Sequence, residues 1–179
     1  MSGNSKKFLP LIPPPPGDLK RLIELLEVRR QYSDRFNPDF IQRHLDEEPE
    51  KVFLALLKSF NIDIKAKYIL KLKTEIEIDI VEHKEFFEAL RPKDLAEKYG
   101  IDFKYDNLPS AKSASYPSGH TAQAYYVALH LSEKFPELTD RIFLVAKMIA
   151  ESRIDRGVHF RSDNEGGMAL AEKLFQRKG

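Results

Sequence analysis

The chain has 179 residues, of which 42% are apolar, and sets 29 lysines and arginines against 28 aspartates and glutamates for a formal net charge of +1. That size and apolar share suffice for one hydrophobic core, while the near-neutral balance argues against a nucleic-acid-binding surface and leaves any anion specificity to local placement. Cysteine is absent, which excludes disulfides, thiolate metal sites and cysteine nucleophiles.

Residues 1–17 read as a proline-rich arm, with Pro13 to Pro16 extended on the surface as a strap and a candidate clasp for a homo-oligomer. The apolar run Phe8 to Ile12 is too short for a secretory h-region, and no window approaches a membrane span of roughly 18 apolar residues. The chain is therefore expected to be soluble, cytoplasmic as numbered or periplasmic if a signal peptide has been removed. Residues 18–179 read as a single domain.

Asp18 is the expected N-cap of a first helix, whose apolar face is Leu19, Leu22, Ile23 and Leu26 and which runs to about Arg30 with a break near Ser33. From Pro38 to Leu90 there is no glycine and a surplus of helix formers, predicting two or three further helices. Within it Ile76, Ile78 and Ile80 alternate with a strand period, but Val81 and the helical flanks favour helix. Residues 91–117 carry Pro92, Gly100 and Pro109 and predict a long loop holding one short helix in "PKDLAEKYG". Helices then follow at about 118–135 and 140–156, the second stopped by Gly157, and at 161–176. The fold class is all-α, a helical bundle with its site at helix ends and the long loop before a Pro-Ser-Gly-His turn.

Chemistry-bearing residues gather at those helix ends. Lys84 and Arg91 are two cations; Ser118, Gly119 and His120 open a helix; Arg153, His159 and Asp163 close the set. Together they describe an anion site with an acid–base pair. A phosphoryl group in its transition state spreads charge over three oxygens, which fixed donors must meet. Arginine offers a planar fork, lysine a point charge, and a Ser-Gly turn offers a hydroxyl and free N–H groups at the positive end of a helix. Asp163 lies four residues after His159, so its carboxylate can hold one ring nitrogen protonated and leave the other free to attack. His120 has no such neighbour and suits proton transfer to a leaving oxygen.

The segments "KEFFEALRP" (84–92), "PSGH" (117–120) and "SRIDRGVHFRSD" (152–163) resemble the three-part signature of the phosphatidic-acid-phosphatase type 2 superfamily, which includes class A nonspecific acid phosphatases, lipid phosphatases and vanadium haloperoxidases. The proline strap and first helix are also similar to those of the soluble class A acid phosphatases. The resemblance implies a metal-independent phosphatase without a cofactor, acting on a small phosphorylated substrate through a phosphohistidine intermediate. It makes His159 the nucleophile, Asp163 its orienting partner and His120 the general acid and base, with Lys84, Arg91, Ser118, Gly119 and Arg153 on the phosphoryl oxygens. The alternatives are a vanadate-dependent haloperoxidase and a noncatalytic phosphate-binding module.

Taken singly, these residues have bland readings: Ser118 as an ordinary N-cap, His159 with Asp163 as a surface pair, Lys84 and Arg91 as solvated charges. Their joint occurrence in fixed order favours the site. His44, His83 and His130 fit no constellation, Glu47, Glu48 and Glu50 read as a solvated run, "YDN" at 105–107 as a turn, and Tyr125 and Tyr126 as core or pocket wall.

Overall fold

The protein is described by a computed structural model over residues 7–35 and 39–179. The first six arm residues and the Pro38 start of the second helical stretch lie outside the described residues. Among those described there are nine α-helices and no strand: α1 (Asp18–Asp34), α2 (Asp39–Glu47), α3 (Pro49–Ser59), α4 (Ala66–Glu75), α5 (Glu77–Phe87), α6 (Pro92–Lys98), α7 (Gly119–Lys134), α8 (Thr139–Asp155) and α9 (Arg161–Gln176). Prolines start several of these elements, since an N1 position loses no helical hydrogen bond to a missing N–H: Pro49 opens α3, Pro92 opens α6, and Pro109 and Pro136 open short 3-10 turns.

The all-α expectation holds, with corrections in detail. The stretch from 39 to 87 holds four helices rather than two or three. Pro49 restarts the chain after Glu48, Asn61 turns it at φ 58°, and Ile76 separates α4 from α5. Ile76 and Ile80 are buried while Ile78 is 72% exposed, a helical four-residue spacing that overrides the apparent alternation.

Helix α1 departs further. Its N-cap is Gly17, and Asp18 instead accepts hydrogen bonds from Lys98 and Tyr99. It continues to Asp34, and its buried face is Arg21, Leu25 and Val28, leaving Leu19, Ile23 and Leu26 on the outside. The buried Arg21 pairs with Asp163, which fixes the rotation of the helix against Leu95, Ile154 and Phe160. An ion pair between buried groups must be met, whereas exposed leucines are tolerated.

Helix α7 is the centre of the bundle. Its Ala122, Tyr126, Val127 and Leu131 pack between Ile142, Ala146 and Ile149 of α8 and Leu170, Ala171 and Leu174 of α9, with Phe53, Leu57, Ile69 and Leu72 of α3 and α4 closing the core. The approach of α9 to α7 needs Gly167, where a Cβ would lie 2.7 Å from the Ser118 carbonyl oxygen and 3.0 Å from the Ala122 nitrogen. That contact seats the start of α7 beside the start of α9.

The described part of the arm is bound to its own chain. Ile12 is buried, the Leu11 N–H donates to His83 Nε2 (3.0 Å), the Tyr116 hydroxyl donates to the Pro13 carbonyl (2.6 Å), and Phe8 packs edge-on to the His83 ring. His83 is thus the anchor of the strap. Among the described residues no helix is long and apolar enough to cross a membrane.

Replacing Gly167 with alanine should destabilise the fold by about 1–3 kcal/mol in urea unfolding, despite the roughly 1 kcal/mol that alanine gains in helix propensity. Unchanged or increased stability would show that α7 and α9 do not approach this closely.

Candidate active site

Helix α8 stops at Gly157, whose φ of 74° lies in the left-handed region and whose missing side chain leaves room for Tyr105 at about 3 Å. The reversal delivers His159 to the base of the bundle, 2% exposed, two residues before α9. Asp163 is the third residue of α9, and its carboxylate accepts the Phe160 N–H that precedes the helix (2.9 Å). The same Oδ2 lies 3.0 Å from His159 Nδ1 and accepts from the Ser115 hydroxyl, while Oδ1 pairs with Arg21. Burial opposes ionisation of Asp163, but the His159 hydrogen bond and the Arg21 charge outweigh it and hold the carboxyl well below the usual range. An ionised Oδ2 requires the hydrogen of His159 on Nδ1. Its Nε2 lone pair is then free and faces Arg91 Nη1 at 3.2 Å. Burial and the adjacent Arg91 charge push His159 far down from its ordinary value, against the pull of Asp163, so the ring is neutral.

The cations converge from separate elements. Arg91, between α5 and α6, is fixed by donating Nε to the Ser113 carbonyl (2.8 Å) and Nη1 to the Val158 carbonyl (2.9 Å). Lys84, near the end of α5, donates to the Ala114 carbonyl (2.6 Å). Burial and the Arg91 charge lower Lys84 to about 7, and burial with the Arg153 charge lowers Arg91 to about 10. Arg153 is paired with Asp46, but among the described residues Lys84 and Arg91 have no carboxylate within ion-pair reach, which is costly unless an anion joins them.

Lys84, Arg91, Gly119 and His120 line a cavity of about 650 Å³, together with Ser110 and Ala114, and Glu77, Glu85, Glu88 and Asp94 stand at its sides. Gly119 is the first residue of α7, and a Cβ there would face Ile80 at 3.4 Å and Lys84 at 3.8 Å, so the amide end of the helix lies open toward the lysine. His159 and Arg153, the latter fully buried, lie one contact behind this lining, reached through Arg91 and Ser110 respectively.

Seven of the eight residues singled out in the sequence therefore meet in one place, some at the cavity wall and some behind it. Ser118 differs: it is the N-cap of α7, accepting the Thr121 N–H (3.3 Å), and its hydroxyl donates to Thr121 Oγ1 (3.0 Å) rather than facing the cavity. Its own N–H donates to the Asp163 carbonyl (2.9 Å), tying the two histidine-bearing turns together.

Several members of the cluster carried no sequence signal. Arg21 and Ser115 complete the shell of Asp163. Asp46, on α2, accepts from Arg153 Nη1 (2.6 Å) and Ser110 Oγ (2.6 Å) and lies 3.2 Å from His120 Nε2. The turn residue Asp106 binds Arg35 (2.9 Å) and Arg156 (2.8 Å), pinning the long loop to α8. Tyr126 is core, packed edge-on against His130, which in turn meets Phe175, and Tyr125 packs on Phe143. Glu48 and Glu50, read as solvated, pair with Lys51 (2.6 Å) and Lys73 (3.0 Å).

The family model described as "PAP2 superfamily" matches residues 71–174, the span that holds all three motifs. A non-specific acid phosphatase of Providencia stuartii is 41% identical over 61 residues, 34% of this chain and 25% of that protein. One from Salmonella typhimurium is 38% identical over 66 residues, 37% of this chain and 26% of that protein. An acid phosphatase of Zymomonas mobilis is 40% identical over 60 residues, 34% of this chain and 23% of that protein. These matches thus span about a quarter of the relatives' own length. Among solved structures, a transmembrane PAP2 type phosphatidylglycerolphosphate phosphatase from Bacillus subtilis shares the fold at TM-score 0.58, with 20% identity over 90% of this chain and 85% of that one.

Because Lys84 loses its proton near pH 7, a dianion that does not itself titrate should bind more weakly as pH rises. Sulfate titrated calorimetrically should lose affinity between about pH 6 and about pH 9, and Lys84→Met should flatten that dependence. An affinity that is constant across this range in the unmodified protein would contradict the placement of Lys84.

Proposed function

The chain belongs to the PAP2 superfamily, and from that premise we propose that it is a phosphatase that hydrolyses phosphomonoesters by way of a phosphohistidine. The observation that carries the reading is the state of His159: Nδ1 bound to an ionised carboxylate, Nε2 unprotonated and turned to the Arg91 guanidinium, which shares its cavity with Lys84 and Gly119.

These positions support the following course. Substrate phosphoryl oxygens take the place opposite Lys84, Arg91, the Gly119 amide and Arg153, and Arg91 Nη1 moves from Nε2 to a phosphoryl oxygen. The Nε2 lone pair forms a bond to phosphorus as the ester P–O bond breaks in line, and His120 gives its proton to the departing alkoxide. Asp163 stabilises the positive ring that results, as a carboxylate bound to the far nitrogen does for other nucleophilic or basic histidines. Water, giving its proton to His120, then attacks phosphorus; the N–P bond breaks, its electron pair returns to Nε2, and inorganic phosphate leaves. Ser118 contributes as the cap that starts α7 and presents Gly119, its hydroxyl being engaged by Thr121.

Incubating a His120→Ala variant with p-nitrophenyl phosphate labelled at phosphorus should accumulate acid-labile label on His159, because a nitrophenolate leaves without a proton but the intermediate then lacks its base. Absence of label at His159 in a folded variant would overturn the mechanism. Arg91→Ala should lower kcat by about a hundred- to a thousandfold, as for loss of one fixed transition-state donor; a change under about tenfold would remove Arg91 from that role.

A further inference from the structure

Asp46 has no part in the signature and stands 74 positions before His120 and 107 before Arg153, yet it touches both. It lies one residue before the end of α2, 8% exposed. His120 Nε2 is 2.8 Å from its backbone carbonyl and 3.2 Å from its Oδ1. A carbonyl oxygen can only accept, so the short contact requires a hydrogen on Nε2. The tautomer of neutral His120 is thereby fixed, and Nδ1 is left as the nitrogen that takes and gives protons.

We infer that Asp46 is the positioning residue of His120, holding Nε2–H on one residue's carbonyl and carboxylate so that Nδ1 faces the reacting oxygens, and supplying the negative charge that the imidazolium needs. The inference rests on His120 being the acid and base of the proposed reaction. Asp46 acts through the ring and need not touch substrate.

The charges around His120 show why such a partner is required. Arg153 of α8 stands behind it; Lys84 of α5 and Arg91 at the start of α6 line the same cavity; Lys73 of α4 is near but is neutralised by Glu50 of α3. These cations disfavour a protonated ring, and although Glu77, Glu85, Glu88 and Asp94 of the same cavity favour one, none of the four lies within ion-pair reach of His120. Asp46 is the one carboxylate within ion-pair reach of His120 among the described residues. Burial and the Arg153 charge lower His120 from its ordinary value, and Asp46 is what opposes them. A proton donor to an alkoxide has to be protonated when substrate arrives, so the opposing contribution is the one that catalysis needs. Its own carboxyl is held ionised: burial works against this, but the His120 hydrogen bond and the Arg153 charge prevail.

The test uses Asp46→Asn, which keeps the shape and an acceptor oxygen but removes the charge. The reported quantity is kcat/KM, which excludes the later hydrolysis of the intermediate. On an alkyl phosphate, whose leaving group needs a proton, kcat/KM should fall by roughly a hundredfold, and on p-nitrophenyl phosphate by less than about tenfold. The limb of the alkyl phosphate profile that reports protonated His120 should move to lower pH, and Asp46→Glu should restore part of the loss. Equal losses on the two substrates would mean a structural role only, and a rise in kcat/KM on both would mean that the carboxylate merely competes with phosphate for Arg153. Either outcome overturns the inference.

A second measurement needs neither a variant at Asp46 nor activity. Long-range proton–nitrogen correlation spectra of the unmodified protein, with the His120 signals assigned by their loss in His120→Gln, should show the Nε2–H tautomer at neutral pH. The Nδ1–H tautomer would refute the inference even if the enzyme is a phosphohistidine phosphatase. The Nε2–H tautomer in a protein that forms no phosphohistidine would leave the positioning standing and remove the proposed reaction.

Discussion

The carboxylate of Asp163 is the interaction on which the rest of the molecule depends. It is fully buried and met by four donors from three segments: Arg21 of α1, Ser115 of the long loop, and, from the turn before α9, His159 and the Phe160 N–H. Its own backbone carbonyl takes the Ser118 N–H at the start of α7. Removing one partner from a buried charge of this kind costs on the order of 3–5 kcal/mol, because the remainder is left unpaired. The orientation of α1 and the tautomer of His159 are therefore consequences of one satisfied carboxylate, and the carbonyl of the same residue helps, with Gly167, to seat α7 on α9.

Two histidines with two carboxylates then acquire opposite geometry from their surroundings. Asp163 takes the Nδ1 side of His159 and leaves Nε2 free, whereas Asp46 takes the Nε2 side of His120 and leaves Nδ1 free. His159 is sealed beneath Arg91, as suits a group whose lone pair must stay unprotonated. His120 borders the cavity, as suits one that exchanges protons with substrate and water. The proposed division of labour between nucleophile and acid follows from placement, since the two rings are chemically identical.

Much of this was legible in the sequence because the motif residues sit at helix ends, where local rules apply. Gly157 after α8, the Ser118 cap of α7 and the four-residue step from His159 to Asp163 can each be read within a single turn. The partners of those residues could not be. Arg21 lies 142 positions from Asp163 and Asp46 lies 107 from Arg153, and no local period marks either. Arg21 also explains the misreading of α1: apolar spacing points to Leu19, Ile23 and Leu26, but one buried cation turns that face to solvent. Gly166 and Gly167 of α9 are similar. As residues they only weaken a helix, and their purpose is visible once Ser118 and Tyr116 are seen against them.

The central claim is that phosphorus is transferred first to His159 and then to water, and the stereochemical course at phosphorus tests it most directly. Hydrolysis of a phosphorothioate monoester made chiral with oxygen isotopes, in isotopically labelled water, should give product with retained configuration, since two in-line displacements each invert it. Inversion would mean a single direct attack by water and would contradict the account.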